Sequence, residues 1–427
     1  MTAPAIRAQS PGLLQASDLP VPARVVLAIL SLLLAASVIQ PYYWPASHGL
    51  DITGNQIGRD FINTWAGPQL AFAGRAADLY NLELYQKAIG QLFGAPLNPH
   101  NFSYPPHGAI LFWPFAQFPY GVALTLWLLT TFAALAAAML SQLPRKDHAW
   151  ALVLLVISPA VVINTLSGQN GCLSGALLLG GLLLMDRRPL LAGVMFGLLT
   201  YKPHLGLILV TILLARGAWR TIAAAGITTV GLVALSVVLF GPDPWHLFAT
   251  KTSAVQLFLL QAWSGFYVIM MPTWFAALRS LGASYEAAMS VQFVLSLAVI
   301  ASTAWAVRQT NDPAWHGLIA AAATPLALPY AFNYDLPALA VACAWIMLGR
   351  IQVDNLPRWL IGLAWFAPLL SMQFALRDLP IAQIGILGFY VYVMVHLAKT
   401  TQPKSQQQHR PTAAKSAAFS VTAPSTP

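Results

Sequence analysis

The sequence predicts an all-α polytopic membrane protein of about 12 transmembrane helices, with a long first extracytoplasmic loop that contains interfacial helices. Three observations carry that expectation. Of the 427 residues, 58% are apolar and only 8% charged, with a mean hydropathy of +0.65, whereas soluble domains carry about 25% charged residues. Apolar stretches near membrane-spanning length recur along the chain. Runs such as "GLVALSVVLF" (231–240) are continuously apolar, unlike the short alternating segments of a transmembrane β-barrel.

Residues 1–20 are small and polar with scattered proline and read as a disordered cytoplasmic N-terminus. The apolar run from Val25 to Ile39 is long for a signal-peptide core, and no small-residue cleavage site precedes the polar loop, so 23–40 reads as an uncleaved first helix. Arg7 and Arg24 place its start in the cytoplasm, and Tyr42, Tyr43 and Trp44 read as an aromatic belt at the outer interface. Residues 41–120 form the first outer segment, in which "HGAILFWPFAQFP" (107–119) is apolar but too short to cross and reads as interfacial. The transmembrane domain covers 21–400. The tail, 401–427, is polar, proline-rich and basic, and predicts disorder on the cytoplasmic side.

The formal charge of +9 does not point to nucleic acid. Its bases collect in the tail and in short loops, "PRKDH" (144–148), "DRRP" (186–189), "RGAWR" (216–220), "VRQ" (307–309), "GR" (349–350) and "PR" (357–358), as cytoplasmic loops do. Between them lie "NTLSGQNG" (164–171), "YKPH" (201–204), the stretch 241–286 and "PYAFNYD" (329–335), which this threading puts outside. Crossings around 171–185, 189–201 and 203–215 are short for a bilayer. Polar loops at such depth are tolerated where they line a cavity or are buried in protein.

The chemistry-bearing residues fall on that outer side: Asp60, Asp78, Glu83, Lys202, His204, Asp335, the Gln169–Asn170 amides and the pair His100/His107. A site that binds an anionic lipid head group while activating a hydroxyl needs a carboxylate to take the proton and cations to neutralise phosphate. The two cysteines, Cys172 and Cys343, sit in apolar segments and read as small core residues rather than a disulfide. The histidines are too scattered for a metal site, no Asp-x-Asp occurs, and the glycines of "GALLLGGLLL" (175–184) suit close helix packing. No metal and no cofactor is expected.

Three stretches taken in order, "RDFINTWAGPQLAFAGRAADLY" (59–80), "YPPHGAILFWPFAQFP" (104–119) and "GQNGCLSGALLLGGLLLMDRRPLLAGVMFGLLTYKPHLGLILVTILLARGAWR" (168–220), resemble glycosyltransferase family 87. That family comprises GT-C enzymes, the polyprenol-phosphate-mannose-dependent α-mannosyltransferase-like group of bacteria, and "LPYAFNYDLPAL" (328–339) resembles a later outer loop of it. The resemblance implies a GT-C-type bundle in the inner membrane. It implies metal-independent transfer of a hexose, mannose by family default, from a polyprenyl-phosphate donor to a glycan or lipid acceptor at the periplasmic face. It assigns Asp60, of the pair Asp60-Phe61, as the catalytic carboxylate, and places Lys202, of Lys202-Pro203, near the donor phosphate. The family pattern commonly has Trp-x-x-His in the late outer loop, where this chain has Phe332, Asn333 and Tyr334.

Each assignment has a structural counterpart. Asp60 reads as the general base, or else as a loop carboxylate paired with Arg59; Asp51 is the rival base. Asp78 fits a cap or turn before "LYNLELYQKAIGQLF" (79–93). Lys202, His204 and Arg59 are the candidate phosphate ligands; Lys202 can instead snorkel to the interface, and Arg59 and Arg75 can be ordinary surface charges. Gln169, Asn170, Tyr104 and Asp335 are candidates for sugar or acceptor contacts. Tyr104, with Pro105 and Pro106, also suits the stop of one helix and the start of the next, and Asp335 suits a cap on a helix beginning at Leu336. The alternative function is a transporter or flippase for a polyprenyl-linked glycan, which would place ionisable groups near mid-membrane within two repeated halves.

Overall fold

Short apolar helices separated by Pro and Gly define the architecture. The computed structural model describes residues 33, 36–37, 39–40, 43–46 and 49–401, apart from 95 and 263–265. The predicted first helix, 23–40, therefore falls largely outside the described residues, as do the two terminal segments expected to be disordered.

Among the described residues the regular elements are helical, with two isolated bridges, Pro45 to Asp51 and Leu50 to Gln56. Helices α1 (Phe61–Leu70), α2 (Leu82–Phe93) and α3 (Pro106–Ala116) occupy the stretch before residue 120. Then follow α4 (Tyr120–Leu140), α5 (His148–Ile157), α6 (Pro159–Leu166), α7 (Gly171–Leu184), α8 (Pro189–Leu198) and α9 (Gly206–Ala215). The second half holds α10 (Trp219–Phe240), α11 (Asp243–Leu247), α12 (Ser253–Ala262), α13 (Trp274–Ser280), α14 (Tyr285–Ala306), α15 (Pro313–Ala327), α16 (Pro337–Met347), α17 (Arg358–Ala375) and α18 (Ile381–Thr401).

Length and apolarity qualify α4, α10, α14 and α18 as membrane spans, and α5 with α6, bent by 54° at Ser158-Pro159, as a fifth. The short apolar helices expected over 171–185, 189–201 and 203–215 are present as α7, α8 with its 3₁₀ extension to Tyr201, and α9 behind the turn Pro203–Leu205. Proline sets several starts: Pro106, Pro159, Pro189, Pro313 and Pro337 all occupy a first turn, where a missing N–H costs nothing.

Burial sorts the helices into a centre and a rim. Nearly every residue of α7, α15 and α16 is buried, and these three pack on one another. Along α10 and α14, large apolar side chains instead face outward: Ile227, Val230, Val238, Phe293 and Val294 are all exposed. Apolar helices with outward-facing Val, Ile and Phe are built for lipid. The glycines of α7 act as contact points, since an added Cβ would meet Met195 at Gly180, Phe196 at Gly181, and both Leu135 and the Ala338 backbone at Gly175. Cys172 and Cys343 are buried and unbonded, as core residues.

The loops alternate between two ends. At one, Arg216 meets Asp186 and Asn311, Arg308 donates to the Ala215 carbonyl, and Arg350 clamps Asp312 while reaching Gln142. Helices α7, α8 and α9 each span the distance, about 15–21 Å at 1.5 Å per residue, between that end and the opposite one, where the loops 58–60, 167–171, 201–204 and 329–335 gather.

Candidate active site

The loop 167–171 is the hub of that second end. It follows α6 at a break where Gly168 takes φ +58, a left-handed conformation that favours glycine. Against it on one side lies the 58–61 turn: Asp60 N donates to the Ser167 carbonyl at 3.2 Å, and a Cβ on Gly168 would collide with the Gly58 carbonyl oxygen. On the other side lies the 330s loop, because a Cβ on Gly171 would overlap the carbonyl of Tyr334. Two glycines thus let two other loops close onto one.

Between these loops opens a cavity of about 760 Å³ whose wall includes Arg59, Asp60, Tyr104, Gln169, Lys202, His204 and Asp335. Asn170 stands behind it, fully buried, its Nδ2 donating to the Tyr104 hydroxyl at 2.7 Å. The eight residues singled out from sequence, scattered over 277 positions from Arg59 to Asp335, come together as cavity wall and first support.

Their partners differ from those expected. Arg59 does not pair with Asp60. Its Nε donates to Asp51 Oδ2 at 2.8 Å, and its guanidinium lies 4.2 Å over the Tyr43 ring. Asp51 also accepts from Thr53 N, Thr53 Oγ1 and Asn55 N and is absent from the cavity wall. Asp60 instead accepts from a neutral amide, Gln169 Nε2, at 2.9 Å. Lys202 Nζ donates to Asp335 Oδ1 at 2.5 Å, both side chains being buried. That ion pair replaces both the snorkelling and the helix-capping alternatives, since the N-cap of α16 is Leu336. Asp335 Oδ2 accepts from Phe332 N within its own turn.

Of the two readings of Asp78, the turn holds: it lies in the 3₁₀ turn Ala76–Tyr80 before α2 and pairs with Arg75 on the surface, while Asn81 caps α2, accepting from Leu84 N at 3.1 Å. Other expectations fail. The Tyr104-Pro105-Pro106 segment starts α3 but ends no helix. Tyr43 is no belt residue: it is buried, shares a hydrogen bond with Ser167 Oγ at 3.1 Å and lines the cavity, while Trp44 is exposed. Of the histidine pair, His100 lines the cavity, whereas His107 is buried outside it, stacked on Trp245 at 5.7 Å.

The remaining wall is aromatic. Phe332 and Tyr334 stack at 4.9 Å, Tyr330 sets its edge against Phe332, and His204 stands edge-on to Tyr330. In the sequence, Phe332 to Tyr334 stand out only as a departure from a pattern; the alternating aromatics of "PYAFNY" were the available signal. Sequence reasoning also missed Asn63, which lines the cavity one helical turn after Asp60 and accepts from the Tyr85 hydroxyl at 2.6 Å. Burial, with the charges of Asp60 and Asp335, raises the Tyr104 hydroxyl above the ordinary tyrosine range, so it remains a proton-bearing donor. Gln169 Oε1 and Asn170 Oδ1 are buried with no hydrogen-bond partner among the described residues; Gln169 belongs to the cavity wall and Asn170 does not. Among the described residues no three His, Cys, Asp or Glu side chains come together as metal ligands would.

Fold and site together define a helical membrane protein with a polar cavity at one end of the bundle. A model of glycosyltransferase family 87 matches residues 102–329, more than half of the chain, and the chain belongs to that family. Membership makes it a membrane glycosyltransferase, with a sugar donor and an acceptor as substrates. The matched stretch contains Tyr104, Gln169, Asn170, Lys202 and His204, while Arg59, Asp60 and Asp335 lie beyond it. Searches of curated proteins and of solved structures each found no match.

Proposed function

We propose that this chain transfers a hexose, mannose by family default, from a polyprenyl-phosphate donor to a glycan or lipid acceptor at the outer face of a bacterial inner membrane, with Asp60 as general base. One observation carries the reading: Asp60 and Lys202, 142 positions apart in the sequence, line the same cavity. In the proposed reaction the acceptor oxygen attacks the anomeric carbon as its proton passes to the Asp60 carboxylate. The bond from that carbon to the phosphate oxygen breaks, and polyprenyl phosphate leaves with the electron pair. Inversion gives an α-linkage from a β-linked donor. Lys202 and His204 serve the phosphate, and Gln169, Asn170 and Tyr104 serve sugar or acceptor hydroxyls.

The partners of Asp60 support its role. A carboxylate held by a neutral amide keeps one oxygen for a substrate proton, whereas Asp51 is saturated by an arginine and three local donors. A transporter would place its ionisable groups near mid-membrane; here they occupy loops and helix ends.

The test is Asp60→Asn in purified protein, assayed for hexose transfer from labelled polyprenyl-phosphate sugars to a panel of glycan and lipid acceptors. The general-base role predicts a fall in kcat of about 10²–10⁴-fold, with membrane insertion and thermal midpoint retained. Transfer at the parent rate would refute the assignment.

A further inference from the structure

Lys202, the residue assigned above to the donor phosphate, already has an anionic partner within the protein. Its ammonium is held by Asp335 in a pair whose side chains are 8% and 3% exposed. It also stands 5.3 Å over the Tyr334 ring, and Tyr334 is itself pinned by stacking on Phe332. Asp335 is anchored from behind, through Oδ2, by the Phe332 backbone N–H. The other strong cation of the wall, Arg59, is likewise engaged, with Asp51. An arriving phosphate therefore meets no vacant cation at Lys202. It must share or take an ammonium that a carboxylate holds, and two anions on one ammonium repel each other.

We propose that Asp335 is a built-in counter-ion that competes with the donor phosphate for Lys202. It keeps the ammonium in place before the donor arrives, yields it as the phosphate enters, and reclaims it as polyprenyl phosphate departs. Asp335 is then a positioning residue acting through Lys202, and its charge sets how tightly phosphate is held and how fast product leaves. The proposal rests on the assignment of Lys202 to the donor phosphate.

Asp335→Asn keeps the size and the oxygen acceptor but removes the competing charge. Its consequences are read on the purified full-length chain in two ways: direct binding of polyprenyl phosphate and, separately, of inorganic phosphate; and the split between kcat and donor KM. The variant is expected to bind polyprenyl phosphate about tenfold more tightly, with lower donor KM and lower kcat as product lingers. Lys202→Met should weaken binding, and in the double variant the gain should vanish. Tightening for the lipid phosphate alone identifies the carrier as the ligand; tightening for inorganic phosphate as well identifies the phosphate group itself, and either supports the proposal. Binding of both probes no tighter than in the parent, with an unchanged thermal midpoint, overturns it while leaving the Lys202 assignment standing. A Lys202→Met variant that binds like the parent removes that assignment and this proposal together. If Asp335→Asn does not fold, Lys202→Arg replaces it. The forked guanidinium can hold carboxylate and phosphate at once, so tighter binding is again expected, and its absence overturns the proposal.

Discussion

Gly168 lets the 58–61 turn close onto the 167–171 loop, so a single methyl group there tests the proposed reaction centre. With alanine at this position, the added Cβ would lie 2.6 Å from Phe61 Cβ and 3.0 Å from the Gly58 carbonyl carbon. Carbon atoms in contact sit ~3.5–4.0 Å apart, so the 58–61 turn and the 167–171 loop would have to part by about 1 Å. That movement stretches the link between Gln169 and Asp60, which is 2.9 Å long. Misplacing a reacting group by about 1 Å can cost roughly 100-fold in rate. Alanine at φ +58 adds strain of about 1–2 kcal/mol, which lowers stability as well. A control separates the two effects. Gly74 has φ +77 with nothing within 4 Å of an added Cβ, so Gly74→Ala carries the strain without the collision. Thermal midpoints should fall in both variants, by a similar strain contribution, while turnover of folded protein should collapse only in Gly168→Ala. Parent-like turnover per folded molecule in Gly168→Ala would refute the idea that this glycine sets the position of Asp60.

Two further outcomes follow from the same geometry. Arg59, buried against Asp51 and Tyr43, braces the loop before α1; Arg59→Met and Asp51→Asn should each lower the thermal midpoint by an amount matching about 3–5 kcal/mol for a broken buried pair. A phosphate ligand would instead raise donor KM at unchanged stability, so thermal melts beside donor titrations decide between the roles. Tyr104 keeps its proton because burial and two carboxylates push its ionisation upward; its neutral, donating form therefore persists across ordinary assay pH and is lost only above the usual tyrosine range. Tyr104→Phe should lower kcat/KM by a constant factor, about 5–10-fold for one hydrogen bond, across about pH 6 to 9. A loss that shrinks or grows over that window would contradict a permanently protonated donor.

The sequence made the helical membrane architecture readable because hydropathy and proline placement act locally. The short helices α7, α8 and α9, with polar turns at their ends, follow from "SGQN" and "YKPH" interrupting apolar runs. The site residues were readable as a set, since ionisable side chains are conspicuous in so apolar a chain. Their pairing was not. Arg59 and Asp60 are neighbours in sequence, but successive residues in a turn point apart, and Arg59 reaches back eight positions to Asp51. Lys202 and Asp335 meet across 133 positions, a contact that depends on the packing of α9 against α15 rather than on any local pattern. The caps show the same limit. Asn81 and Asp78 are both plausible before α2, and only the 3₁₀ turn Ala76–Tyr80 decides for Asn81.

Three carboxylates stand at or near this cavity, and the groups that satisfy them separate their roles. Asp51 is sealed under an arginine, a hydroxyl and two backbone N–H groups; a charge so fully compensated has nothing left for a substrate. Asp335 is tied to the one lysine among the described residues of the wall, which couples it to whatever anion that lysine binds. Asp60 meets a neutral amide and is only partly buried. Gln169 in turn is fixed by the hub: its backbone N–H bonds the Asn164 carbonyl, and its own carbonyl accepts from the indole of the buried Trp127 at 3.3 Å. A rigid neutral donor orients a carboxylate without cancelling its charge, which a cation in the same place would do. The proposed base and the proposed phosphate cation thus stand on separate loops, each with its own partner, and Gly168 and Gly171 let the 58–61 turn and the 330s loop close onto the hub between them.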